Sequence, residues 1–403
     1  MRFLHKDHLP IHAMALWWVL WLTVAVSKVN VFVAPSWDVA SQFVAFTLFF
    51  VLGHVIAVQL GGSAMARSPA NDSAKSRSTF KIHYYLYAAN WICLAILLIS
   101  LQLSGALSEG FIEYFFKLRR EESTGDSVTG SRLLDVATKV LVWPTAYTLT
   151  IIVLAVRIEQ RRGMLALSIL NILLFSYLWQ VNYSLIYLFW IFVFYVLVGA
   201  ARDLPVDRKA LAFVGALMVL LVAVAANRFG GDIFGGLQRY VFGYHTAGFS
   251  FYDHHFHNPS SLLHQHSLGR SSLGFLEQLL EIISRRIDLG FVAASSENAT
   301  FNNEDIDIGA FEVIPGNAFG TFLFGFYRDF HVAGIVAGGL LYGGLATHLL
   351  AKGRQSWPCT SAFYVLATSW MVGMMVNPIE QAHFWFSILL IGMLSVLNRG
   401  IRL

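Results

Sequence analysis

The residues of this 403-residue chain that could do chemistry gather in two stretches, 104–137 and 227–330, and at a few positions beyond them. The cations of this set are arginine almost throughout: Arg119, Arg120, Arg132, Arg228, Arg239, Arg270, Arg285, Arg286 and Arg328, against Lys117 and Lys139. A guanidinium fork bonds two phosphate oxygens at once, whereas a lysine ammonium acts as a point charge. The set therefore suits a phosphate or pyrophosphate group, although the same side chains can equally snorkel to lipid headgroups or pair with nearby acids.

The run "QRYVFGYHTAGFSFYDHHFHNPSSLLHQHS" brings Tyr240, Tyr244, His245, Asp253, His254, His255, His257, His264 and His266 into thirty residues. Aromatic faces stack on pyranose rings, and histidine, aspartate and asparagine satisfy hydroxyls, so sugar binding is one reading and a structural role for most of the histidines is another. Zinc on His254, His255 and His257 is disfavoured, because the spacing matches no two-histidine helical motif and no cysteine lies nearby. The acidic run "NNEDIDIGAFE" (Glu304, Asp305, Asp307, Glu312) can hold a hard cation, supply a base or form an exposed loop. Arg328 and Asp329 stand at the head of an apolar run, and "NPIEQAHFW" adds Glu380, Gln381 and His383.

These residues are positioned by a hydrophobic frame. The chain is 56% hydrophobic and 13% charged, with a mean hydropathy of +0.60, where soluble domains are roughly a quarter charged. An all-α polytopic membrane protein is expected. A spanning helix needs roughly 20 apolar residues, and that window fits near 11–33, 41–60, 83–103, 138–156, 164–180, 183–200, 209–226, 331–350, 357–376 and 384–398, about ten transmembrane helices. If these alternate, the short basic loops all fall on one side, which puts both termini in the cytoplasm. The opening run has no small-residue cleavage site and is expected to remain as an anchor. The net charge of +4 is spread over loop ends, which is a topology pattern and not a nucleic-acid footprint. Residues 1–403 read as a single membrane domain. Residues 104–137 read as a periplasmic loop with an amphipathic helix, and 227–330 as a large periplasmic loop carrying the site, with short interfacial helices. One of these, in "SSLGFLEQLLEIISRRIDLG", repeats Leu276, Leu279, Leu280, Ile283 and Ile287 at helical spacing.

The stretch "GNAFGTFLFGFYRDFHVAGIVAGGLLYGG" resembles the Wzy-type O-antigen polymerases, the oligosaccharide repeat-unit polymerases of bacterial inner membranes. The matching positions are Asn317, Thr321, Tyr327, Asp329 and Phe330, with His331 where the family carries glycine. Arg328 and Gly339 fit an Arg-x(10)-Gly spacing, and "LQRYVFGYHTAGF" resembles the short helix opening the family's large loop. The resemblance implies a multi-pass inner-membrane glycosyltransferase. It would move a glycan from undecaprenyl pyrophosphate onto the non-reducing end of a lipid-linked repeat unit, without cofactor or metal. It also implies a chain-length regulator (co-polymerase) and a flippase as partners. Arg239, Arg328, Asp329, His255 and Glu380 are then the catalytic candidates. Arg120, Arg285, Arg286, Tyr240, Tyr244, Asp253, Asn317, Tyr327 and His383 are the candidates for substrate contact. The alternatives are an O-antigen ligase acting on lipid A-core and a polysaccharide or solute transporter. Replacing Arg328 or Arg239 with alanine is expected to abolish polymer in cells; full-length polymer from both variants would refute the assignment.

Overall fold

The computed structural model describes residues 5–27, 31–60, 80–110, 113–114, 117–118, 126–156, 161–205, 207–228, 233–272, 274–302, 306–310, 315–316 and 320–400. The protein is predominantly helical. In chain order the helices are α1 (Leu9–Val26), α2 (Trp37–Leu60), α3 (Phe80–Ser104), α4 (Arg132–Ala155), α5 (Arg161–Trp179), α6 (Tyr183–Ala201), α7 (Arg208–Arg228), α8 (Tyr244–His257), α9 (Gly274–Arg286), α10 (Ala294–Asn302), α11 (Phe322–Lys352), α12 (Trp357–Val372) and α13 (Ala382–Gly400). Each of the ten apolar windows overlaps a helix, although 11–33 and 357–376 extend beyond the ends of theirs at Val26 and Val372. Among the described residues seven helices, α1 to α6 and α11, are long and apolar enough to cross a membrane, and α13 contributes a shorter apolar stretch. This is the make-up of an all-α multi-pass membrane protein.

The chain divides into two compact units. The first comprises 1–67, 193–351 and 366–381. Its core is aromatic, and three of the indoles there are also hydrogen-bonded to backbone. The Trp18 indole donates to Trp370 O (3.0 Å), the Trp370 indole to Met14 O (2.9 Å) and the Trp17 indole to Met371 O (2.9 Å). Phe46, Phe50, Phe322 and Tyr342 pack around Trp370. Here the ring supplies area while its N–H finds a backbone carbonyl, the arrangement that makes a buried tryptophan affordable. Helix α11 lies directly against α2. A Cβ at Gly343 would sit 2.0 Å from Phe50 O, and one at Gly53 would sit 2.2 Å from Leu340 O. Such small-residue contact lets two apolar helices gain dispersion along their backbones, the usual means of association where lipid removes the hydrophobic drive.

The 227–330 segment is folded. The histidine-rich run, expected to place His254, His255 and His257 in a loop, forms α8, entered through the π-helical turn Leu237–Gly243. Ala247, Phe249, Phe251 and Tyr252 of α8 are buried, and that burial selects helix over loop. An antiparallel clip then ties the segment to the α1–α2 connection: Val33 N donates to Ile308 O and Ala310 N to Val31 O, both at 2.8 Å. A two-residue pairing of β1 (Ile306–Asp307) with β2 (Pro315–Gly316) follows.

In the second unit, 68–192, 352–365 and 382–403, α3, α4, α5 and α13 carry the core. Trp143, Phe175, Tyr147, Tyr187 and His383 form an aromatic cluster. A buried polar link joins Ser168 and Asn171 to Asn90. The π turn Thr138–Val142 precedes Pro144, which has no N–H for a regular helical bond.

Helix α11 is broken near its start. Phe330 (φ −144°, ψ 23°) and His331 (φ 50°, ψ −137°) are non-helical, so Phe322–Asp329 is a short helix set off from the long apolar one after it. A positive φ costs an L-residue roughly 1–2 kcal/mol and costs glycine nothing. His331 stands at the position where the resembled family has glycine, and its ring stacks on His266 (3.8 Å) and Tyr327 (4.8 Å). In thermal unfolding, His331→Gly should therefore be more stable than His331→Ala by about 1 kcal/mol. That is the reverse of their order inside a regular helix, and Ala above Gly would show that the backbone there is helical.

Candidate functional site

The short head of α11 exists to carry polar groups. Gly325, Arg328 and Asp329 are three and four residues apart and so share a face. Arg328 and Asp329 are both buried, at 3% and 1% exposure. Gly325 permits the close approach that follows, since a Cβ there would fall 2.3 Å from Asn377 Nδ2 and 3.5 Å from Glu380 Oε1.

Asp329 is held by four donors. Ser267 Oγ (2.5 Å) and Ser271 N (2.9 Å) bond Oδ1, while Ser272 N (2.9 Å) and Ser272 Oγ (2.5 Å) bond Oδ2. Ser267 N also donates to Arg328 O at 2.9 Å. Both oxygens are thus engaged, and Asp329 fixes the turn Ser267–Ser272 over the helix head. Arg328 faces α10: its Nη1 donates to Ala294 O (3.2 Å) and to Asn298 Oδ1, and its Nη2 pairs with Glu297. Asn298, fully buried, passes the link on, with Nδ2 donating to Glu380 Oε1 (2.5 Å) and to Ser271 Oγ (3.3 Å). Asn377 Nδ2 gives Glu380 Oε1 a second hydrogen bond at 2.8 Å. One network therefore runs from Asp329 through Ser271, Asn298 and Glu380 to Asn377, with Arg328 bonded into it at Asn298.

Helix α10 is held by acids of α9. Glu277 Oε2 accepts from Ala294 N (2.8 Å), and Glu281 Oε2 accepts from Ala293 N (3.2 Å) and Ser296 Oγ (2.5 Å). These carboxylates cap the N-terminal amides of α10, where negative charge is favoured. The polar stripe Glu277, Glu281 and Ser284 faces inward, and Leu280, Ile283 and Ile287 are exposed.

Glu380 is the group whose chemistry is altered. Burial first, and then the charge of Asp329, push its carboxyl up to about 8, against the opposing pull of Asn298, Asn377 and Arg328. Among the described residues every hydrogen bond to it ends on Oε1. Two amide N–H groups occupy that oxygen, so the acid's proton resides on Oε2. A carboxyl that titrates near neutrality with one uncommitted oxygen is equipped to give or take a proton.

Of the sequence candidates, Arg328, Asp329 and Glu380 are brought together. His255 lies in α8 beside Phe251 and Phe324, where burial, then neighbouring His254, lower its imidazole to about 3 and keep it neutral. Asp253 accepts from Ser36 N (2.9 Å) and Ser36 Oγ (2.5 Å) ahead of α2. Tyr327 packs among Tyr252, Phe256 and His264. Tyr244 is half-exposed at the start of α8, and His383 belongs to the aromatic cluster of the second unit. Arg239 and Tyr240 lie on the π-helical turn, and Arg285 and Arg286 at the end of α9. Arg120 and Asn317 lie outside the described residues, as do Glu304, Asp305 and Glu312. The sequence reading passed over Ser267, Ser271, Ser272, Glu297, Asn298 and Asn377. Only the serine-rich turn and the polar heptad spacing of Glu277, Glu281 and Ser284 hinted at them.

Glu380 gives the fold a pH signature. Its folded pKa, about 8, exceeds the ordinary glutamate value of 4.5. Its contribution is thus complete below 4.5 and is lost as pH rises through 8. Wild-type melting temperature should fall by several degrees between pH 5 and pH 9, on the order of 2–4 °C for each kcal/mol, and Glu380→Gln should flatten that decline. An unchanged decline in the glutamine variant would assign it to another group. Comparison with protein-family models, with curated proteins and with solved structures found no match.

Proposed function

We propose that this protein is a membrane-embedded glycosyltransferase of a bacterial inner membrane. It polymerises oligosaccharide repeat units, moving the growing glycan from undecaprenyl pyrophosphate to the non-reducing end of a new lipid-linked unit at the periplasmic face. The observation that carries the reading is Glu380, a buried carboxyl of raised pKa, joined through Asn298 to Arg328 at the head of an apolar helix. The arginine-rich 227–330 stretch and the Asn317-to-His331 resemblance support it.

In this reaction the acceptor hydroxyl oxygen forms a bond to the donor's anomeric carbon, and the bond from that carbon to the pyrophosphate oxygen breaks. The electron pair leaves on undecaprenyl pyrophosphate, and the hydroxyl proton passes to Glu380 Oε2. Pyrophosphate is already a good leaving group, so a weak, well-placed base is enough, and orientation supplies much of the rate. Arg239, Arg285 and Arg286 are assigned to the developing charge of the leaving group. Arg328, whose Nη atoms are taken up by α10, holds Asn298 and Glu380 in place.

Purified protein incubated with one defined lipid-pyrophosphate oligosaccharide should yield a ladder of products. The rate should rise about tenfold per pH unit below 8 and level off above it, and Glu380→Gln should lower it by roughly 10²–10⁴. A single transfer to lipid A-core in place of a ladder would make the protein a ligase, and no glycan product of either kind would refute the glycosyltransferase.

A further inference from the structure

Two buried polar atoms of the network stand out, together with one carboxyl oxygen of Glu380. Arg328 Nε and Asn377 Oδ1 are buried with no hydrogen-bond partner among the described residues, and Glu380 Oε2 receives none there. Their side chains are otherwise pinned: Arg328 by Ala294, Asn298 and Glu297, Asn377 through Nδ2 to Glu380, and Glu380 through Oε1. Asn377 is 5% exposed and Arg328 3%. Buried polar groups in native proteins are almost always paired, and leaving one unpaired costs about 1–3 kcal/mol. Two on one hydrogen-bonded chain, beside a carboxyl oxygen of variable protonation, point to a ligand.

The chemistry of the three atoms selects which ligand. Arg328 Nε–H only donates, Asn377 Oδ1 only accepts, and Glu380 Oε2 donates when protonated and accepts when not. A pyrophosphate presents only acceptors and would set an oxygen anion against the Asn377 carbonyl. A hydroxyl fits: its oxygen accepts from Arg328, and its single proton is held by Asn377 Oδ1 while Glu380 is protonated and by Glu380 Oε2 once that carboxyl has ionised. We propose that Arg328 Nε, Asn377 Oδ1 and Glu380 Oε2 form a subsite for a sugar hydroxyl, that of the acceptor unit, distinct from the place where the donor's pyrophosphate is held. The proposal rests on the glycosyltransferase reading above. It makes Asn377 a specificity residue, since a site built to pair a hydroxyl discriminates sharply against partners that lack it.

The test uses purified full-length protein and two probes: the lipid-free oligosaccharide released by mild acid from native lipid-linked repeat units, and undecaprenyl pyrophosphate. Each is titrated while the melting temperature is read. Wild type should be stabilised by both. Asn377→Ala should weaken oligosaccharide binding tenfold or more and leave undecaprenyl pyrophosphate binding within twofold. Asn377→Asp keeps an acceptor oxygen at the same place and should retain oligosaccharide binding at pH 7, which serves as the readout if the alanine variant does not fold. Unchanged oligosaccharide binding in Asn377→Ala, loss of it in Asn377→Asp, or a loss confined to undecaprenyl pyrophosphate would overturn the subsite. A product ladder from wild type in those same cases would leave the polymerase reading standing. Wild type that neither binds the oligosaccharide nor makes a ladder would overturn both.

Discussion

Burying Arg328 and Asp329 at the head of a hydrophobic helix is the constraint from which the folding of 227–330 follows. Each charge removed from water costs several kcal/mol unless it is hydrogen-bonded on every side. Sequence-distant groups meet that demand for Asp329, through Ser267, Ser271 and Ser272, and for the Nη atoms of Arg328, through Glu297, Asn298 and the Ala294 carbonyl, while Arg328 Nε has no partner among the described residues. The turn 267–272 and helix α10 thus take their positions from two adjacent residues of α11. The aromatic packing around Trp370 and the glycine contacts of α2 with α11 keep the helix head where those partners can meet it.

Helix α9 shows how a membrane setting inverts the usual rule. In water an amphipathic helix buries its apolar stripe. Here Glu277, Glu281 and Ser284 point inward, where they cap α10 and bond Phe291 N, and Leu280, Ile283 and Ile287 face outward. An outward apolar face suits a helix lying at a lipid interface. The polar face then becomes scaffold for the site, and the acids of α9 act by orienting α10 and with it Asn298.

The hydrophobic frame was legible in the sequence because a twenty-residue apolar run leaves little choice but helix. Each of the ten windows overlaps one. Legibility ended where long-range pairing decides structure. The run from Tyr244 to His257 carries histidines and aspartate that suggest a loop, yet burial of Phe249, Phe251 and Tyr252 makes it a helix. Arg328 and Asp329 looked like charges in the first turn of a spanning helix, and nothing in the residue types of Phe330–His331 marks the break there. Asn298 and Asn377 could not be found at all. An asparagine in a polar stretch looks the same whether it is solvated or is the one group joining an arginine to a carboxylate 82 residues away.

That intervening asparagine is what gives Glu380 its character. A guanidinium in direct contact would hold a carboxyl well below its ordinary value and leave a base too weak to matter. In this arrangement Arg328 spends its Nη donors on Glu297, Asn298 and the Ala294 carbonyl, and of these partners it is Asn298 whose amide bonds Glu380. Burial and the nearby Asp329 raise the carboxyl while the two amides and the more distant arginine restrain it, so that it settles at about 8 and not further up. Asp329, with both oxygens engaged by four donors, is held in a fixed position. Two carboxylates and one arginine are thereby given separate tasks by burial together with their hydrogen-bond partners.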